Sequence, residues 1–153
     1  MENKMGKNIL VIKEKIMHKK IFIIDDEFEK IKDLFEVIRT KGHSYEGVDN
    51  IKEALKKLEK TKYDLIILDI IFPISKDQYF AVEETESGRR TGIEMLRKIK
   101  NHYGSPPVVI LSARRLDIFK DLSEELGAVR YLQKPISPRD LWDEIKEYLE
   151  EYP

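Results

Sequence analysis

Apolar residues along the chain fall into two alternating kinds of segment. Short strand candidates lie at 21–24, 45–48, 65–68, 108–111 and 129–132. Several are apolar throughout, as strands covered on both faces should be. Between them, apolar residues recur at helical spacing. Phe28, Ile31, Leu34, Phe35 and Ile38 mark one such stripe, and Ile51, Ala54, Leu55 and Leu58 a second. Ile93, Leu96 and Ile99 mark a third, the stretch from Leu116 to Leu126 a fourth, and Leu141, Ile145 and Leu149 a fifth. Strand and helix alternate five times, which predicts an α/β domain built on a parallel sheet. The punctuation agrees. Ser137 and Pro138 stand at the N-cap and first helical position of the last helix, and Gly42 and Gly127 stand where helices should stop.

Two stretches depart from the repeat. Residues 1–19 form an N-terminal extension whose "KNILVIKE" imitates a strand start; the domain proper is expected over 20–153. Residues 74–90, "ISKDQYFAVEETESGRR", lengthen one strand-to-helix connection well beyond the usual span of about two to six residues. A solvated loop is the plain reading of that insertion, and a docking loop or lid the sharper one.

Composition narrows the class. The chain has 153 residues, enough for one domain with a single substantial core. No apolar run reaches the length needed to span a bilayer, and the start lacks a signal-peptide core. Cysteine is absent, which excludes disulfide scaffolding and thiolate metal sites. The expected location is therefore the cytoplasm, away from the membrane. A net charge of −1 lacks the positive balance of a direct nucleic-acid binder.

The chemistry sits at the strand ends. Asp25 and Asp26 follow the first strand, and Asp69 ends the run "YDLIILD". Ligands of open parallel sheets bind outside the carboxyl ends of the strands. With strands in the order 2-1-3-4-5, the first and third are neighbours and the three carboxylates converge. Close carboxylates repel, so they raise one another's pKa or share a cation. A set of hard oxygen donors suits Mg2+. The fourth strand adds Ser112 and the fifth adds Lys134 at the same edge. Taken singly, each has a plainer reading: a helix-capping aspartate, a loop acid, a turn serine, a solvated lysine. Their shared position at one edge favours a site.

The ordered blocks "IIDDE", "YDLIILDIIFP", "TGIEMLRKIK", "VVILSA" and "GAVRYLQKP" resemble the receiver (CheY-like) domain of two-component response regulators, over roughly 20–150. The resemblance implies a flavodoxin-like (βα)5 sheet in the order 2-1-3-4-5. It implies that Asp69 accepts a phosphoryl group from a sensor histidine kinase or phosphotransfer protein. It further implies that Asp25, Asp26, Asp69 and the backbone carbonyl of Ile71 hold Mg2+, and that Lys134 contacts the phosphoryl oxygens through a loop with a cis bond to Pro135. Ser112 and Tyr131 fall on the switch positions, and the surface altered would be the fourth helix, fifth strand and fifth helix. Asp69 is expected to be exposed at the sheet edge. Ile71 and Arg114 flank the route of a hydrolytic water, which predicts a long-lived phosphoryl group.

No output domain follows the fifth helix in this sequence, so signalling is expected through contact with a downstream target protein or by passing the phosphoryl group on. No oligomeric state follows from the sequence. The main rival is a receiver-fold scaffold regulated without phosphorylation. Enzymes acting on external substrates fit poorly: a haloacid-dehalogenase-type phosphatase needs a second acid where Ile71 stands, and phosphate-binding glycine motifs are missing.

Overall fold

The computed structural model describes residues 18–72, 91–104, 106–113 and 115–150. The N-terminal extension up to residue 17, the 74–90 insertion and Arg114 lie outside the described residues. Five parallel strands form one sheet: β1 (Lys20–Ile24), β2 (Ser44–Val48), β3 (Leu65–Leu68), β4 (Val108–Ser112) and β5 (Ala128–Gln133). Their order is β2-β1-β3-β4-β5, as expected. Among the described residues, five helical segments connect or follow them. The first, α1, runs through Phe28–Ile31, Lys32–Phe35 and Glu36–Thr40; α2 is Ile51–Lys60, α3 Thr91–His102, α4 Leu116–Glu125 and α5 Pro138–Glu150.

Alternation along the central strands divides the core into two layers. Phe22, Ile24, Ile66, Leu68 and Ile110 pack with α2 and α3 on one side. Ile21, Ile23, Leu65, Ile67, Val109 and Leu111 pack with α1 and α5 on the other. Because both faces are covered, β3 and β4 are buried along their whole length, which explains their unbroken apolar sequences.

Local signals set the helix ends. Asn50 caps α2, its side-chain oxygen accepting the Glu53 N–H at 2.8 Å. Ser137 caps α5 in the same way, accepting from the Asp140 N–H at 3.1 Å, with Pro138 next. Gly42 and Gly127 adopt φ of 89° and 96° after α1 and α4, a conformation that strongly favours glycine.

Two irregularities were not expected. The middle turn of α1, Lys32–Phe35, is a tighter 3-10 turn. Beside it the Tyr45 hydroxyl, from β2, reaches the Lys32 carbonyl and the Glu36 carboxylate, so this turn is partnered from outside the helix. The second is a bulge in β5. Val108 pairs with Ala128 but Val109 with Arg130, leaving Val129 as an extra residue, 40% exposed. Ala128 and Tyr131, three positions apart, consequently join the same layer, a spacing that regular alternation forbids. Among the described residues no helix is long and apolar enough to cross a membrane.

Candidate functional site

Parallel pairing brings the ends of β1 and β3 side by side, with Ile24 opposite Leu68, so the acids that follow them meet. Asp25, Asp26 and Asp69 each offer an oxygen within 4.8 Å of the others. Backbone bonds fix the two flanking acids in place. The Asp25 N–H donates to the Val48 carbonyl at 3.1 Å, and the Asp69 N–H donates to the Ile24 carbonyl at 2.9 Å. The carboxylates then capture local amides: Asp25 Oδ1 accepts from the Glu27 N–H at 2.9 Å, and Asp69 Oδ1 from the Ile71 N–H at 3.2 Å. Asp25 thus does the turn-forming work that a lone aspartate commonly does, but only with one of its oxygens.

Lys134 occupies the others. Its Nζ donates to Asp25 Oδ2 at 2.6 Å and to Asp69 Oδ2 at 3.0 Å, and its side chain is mostly buried. A tie from the Lys134 N–H to the Ser112 carbonyl, 2.8 Å, continues the β4–β5 pairing up to the lysine. The following bond to Pro135 is cis, as anticipated.

One expectation needs correction. Asp69 is not exposed at the sheet edge: it is only 5% exposed, and Asp25 only 2%. A buried carboxylate is tolerated when charge-paired and hydrogen-bonded, and here Lys134 and the Ile71 amide supply both. Asp26, half-buried, is the acid through which the cluster meets solvent.

The electrostatics are unbalanced, with three carboxylates facing one ammonium. Burial, and then the charge of Asp69, push the Asp25 carboxyl above its ordinary range; Lys134 and the Glu27 amide only partly oppose this. Burial followed by the charges of Asp25, Asp69 and Glu27 lifts Asp26 to about 6. Burial works against the Lys134 ammonium, but Asp69 and Asp25 outweigh it and raise its pKa. An all-oxygen donor set with surplus negative charge fits a hard divalent cation. The acidic cluster is therefore a metal-site candidate.

Ser112 closes β4 at this edge, fully buried, and Ala113 follows it, exposed. Tyr131 lies on β5, half-buried against the α2–α3 layer. Sequence reasoning missed the backbone donors of the site, the amides of Glu27 and Ile71. Only the acid-x-N–H spacing of an aspartate turn could have signalled them.

A family model described as the response regulator receiver domain matches residues 21–146. The chain belongs to the response regulator receiver domain family. Among its relatives is the alkaline phosphatase synthesis transcriptional regulatory protein PhoP of Bacillus subtilis. It is 32% identical over 133 residues, covering 87% of this chain and 49% of the relative. A transcriptional regulatory protein CpxR homolog of Haemophilus influenzae is 33% identical over 130 residues, covering 85% of this chain and 50% of the relative. The chain thus spans about half the length of these curated relatives. Solved structures agree. A two-component response regulator from Clostridium difficile superposes with a TM-score of 0.70 at 27% identity, covering 87% of this chain and 97% of the other. A CheY-like receiver domain protein from Methanospirillum hungatei gives 0.69 at 25% identity, covering 86% and 94%. Membership makes this receiver domain a signalling domain of two-component systems, whose own chemistry is the uptake and loss of a phosphoryl group.

Proposed function

We propose that Asp69 is the phosphoacceptor and that the donor is a phosphohistidine on a sensor histidine kinase or phosphotransfer protein. The observation that carries this reading is the pairing of Lys134 with Asp25 and Asp69 inside a cluster of three close carboxylates. An Asp69 oxygen attacks phosphorus as the P–N bond breaks, and the imidazole nitrogen leaves with the electron pair. Such transfer needs positioning and charge neutralisation more than covalent help. The Ile71 amide and Lys134 each hold one oxygen of Asp69, so the nucleophile is oriented before the donor arrives. Lys134 stands ready to neutralise the oxygens transferred onto Asp69. Asp25, Asp26, Asp69 and the Ile71 carbonyl would hold Mg2+, which supplies further charge neutralisation when bound.

Phosphorylation adds charged acceptor oxygens beside the end of β4. In this reading the Ser112 hydroxyl turns toward them and Tyr131 moves into the space released, altering the surface of α4, β5 and α5 that a downstream target protein reads. The deciding experiment incubates the protein with acetyl phosphate and Mg2+ and weighs it intact. Wild type should gain one phosphoryl group and Asp69→Ala none. A gain retained in Asp69→Ala would place the acceptor elsewhere, and no gain in either would favour the scaffold.

A further inference from the structure

Gly92 is the second residue of α3, and it is buried. It is not among the described glycines with positive φ, so backbone conformation does not account for it. Helix propensity does not either, since glycine is a poor helix former. Space does. A Cβ built at Gly92 would lie 2.1 Å from the Asp69 carbonyl oxygen, 2.3 Å from the Ile70 Cα and 2.8 Å from the Asp69 carbonyl carbon. All three are backbone atoms, which cannot swing aside as a side-chain tip could. The Gly92 N–H also donates to the Ile70 carbonyl at 2.6 Å.

The acceptor peptide is therefore gripped from two sides. On one, the Asp69 N–H is bonded to β1 through the Ile24 carbonyl at 2.9 Å; on the other, the bare backbone of α3 presses on the Asp69–Ile70 peptide. The grip matters because the carboxylate must meet Lys134 at 3.0 Å and the Ile71 amide at 3.2 Å simultaneously. The buried neighbours Thr91, Ile93 and Leu96 anchor the start of α3 in the core, leaving the acceptor loop as the part that would yield to an added methyl group. We propose that Gly92 is a positioning residue for phosphoryl transfer: its missing side chain sets the place of Asp69 and of the Ile71 backbone relative to Lys134 and Asp25. This rests on the reading of Asp69 as acceptor.

The test compares wild type, Gly92→Ala and Leu58→Ala, the last removing core volume from α2 away from the site. Each is measured for thermal stability, for Mg2+ affinity by calorimetric titration, and for phosphoryl uptake from acetyl phosphate at saturating Mg2+. A displacement of about 1 Å can cost about a hundred-fold in rate. Gly92→Ala is expected to slow uptake by about that factor and to weaken Mg2+ binding about tenfold, while Leu58→Ala loses stability but keeps both. Wild-type rate and affinity in Gly92→Ala would overturn the proposal. If wild type took up no phosphoryl group, the acceptor reading would fail separately, and the Mg2+ titration would still decide the role of Gly92. If Gly92→Ala did not fold, amide exchange in wild type decides. The Gly92 N–H should exchange several-fold more slowly with Mg2+ bound, and unchanged exchange would overturn the coupling.

Discussion

Two ionic clusters among the described residues have opposite character. On the outer strand β2, the single acid Glu46 is met by Lys57 at 3.3 Å, Lys20 at 3.6 Å and the Tyr63 hydroxyl at 2.8 Å. Burial pushes its carboxyl up, but hydrogen bonds from Tyr63 and Lys57 outweigh this and hold it below the ordinary range. At the carboxyl ends of β1 and β3 the ratio reverses, and three acids share one lysine. There Asp25 and Asp26 are both pushed up. The first cluster is complete in itself. The second, among the described residues, has a surplus of negative charge that a proton or a bound cation can relieve, and such an imbalance marks it as a site candidate.

The largest effect should come from removing the acceptor. Asp69→Ala is expected to abolish phosphoryl uptake, read by intact mass after acetyl phosphate treatment. Next is Lys134→Ala, which strips the buried carboxylates of their only ammonium partner among the described residues. Removing one member of such a pair costs about 3 kcal/mol, which urea denaturation in Mg2+-free buffer would register. An unchanged denaturation midpoint would show that the pairing is not what stabilises the buried acids.

Asp26→Asn should act in the opposite direction. With its folded pKa raised to about 6, above the value of 3.8 for an unperturbed aspartate, Asp26 binds a proton more readily in the folded state. Its stabilising contribution is complete below about pH 4 and lost as pH rises through about 6. Metal-free wild type should lose this contribution between those limits, while Asp26→Asn does not. The variant should be more stable at pH 7, by less than about 1 kcal/mol because Asp26 is half-exposed, and should bind Mg2+ more weakly. Thermal melts across that pH range with a chelator present check the sign. Smallest of all is Glu46→Gln: a loss of about 0.5 kcal/mol, as for other surface pairs, with Mg2+ binding and phosphoryl uptake unaltered. A Glu46 variant that altered phosphoryl uptake would erase the contrast between the clusters.

Legibility in the sequence followed the range of the interactions. The runs that become β1, β3 and β4 were readable to within a residue because burial on both faces leaves only apolar positions. Asp25, Asp26, Asp69 and Lys134 were readable as a set because a parallel sheet sends all strand ends to one edge. The burial of Asp69 was not, since it depends on Lys134, 65 positions away, closing over the carboxylate. The tight turn in α1 escaped for a similar reason, its carbonyl partner being a tyrosine on another strand. Gly92 appeared within a recognised block, but periodicity cannot show that a helix backbone touches a loop.

The β5 bulge carries a consequence for how this receiver domain could be altered by deletion. Loss of Val129 would leave Ala128 and Arg130 adjacent, opposite Val108 and Val109, so strict two-residue phasing would return with every downstream pairing kept. Tyr131 would still face α2 and α3, and Leu132 would stay in the layer of α1 and α5. The exposed valine, at the strand end remote from the acids, is thus a position whose removal the sheet could absorb without turning the tyrosine away from the helices it faces.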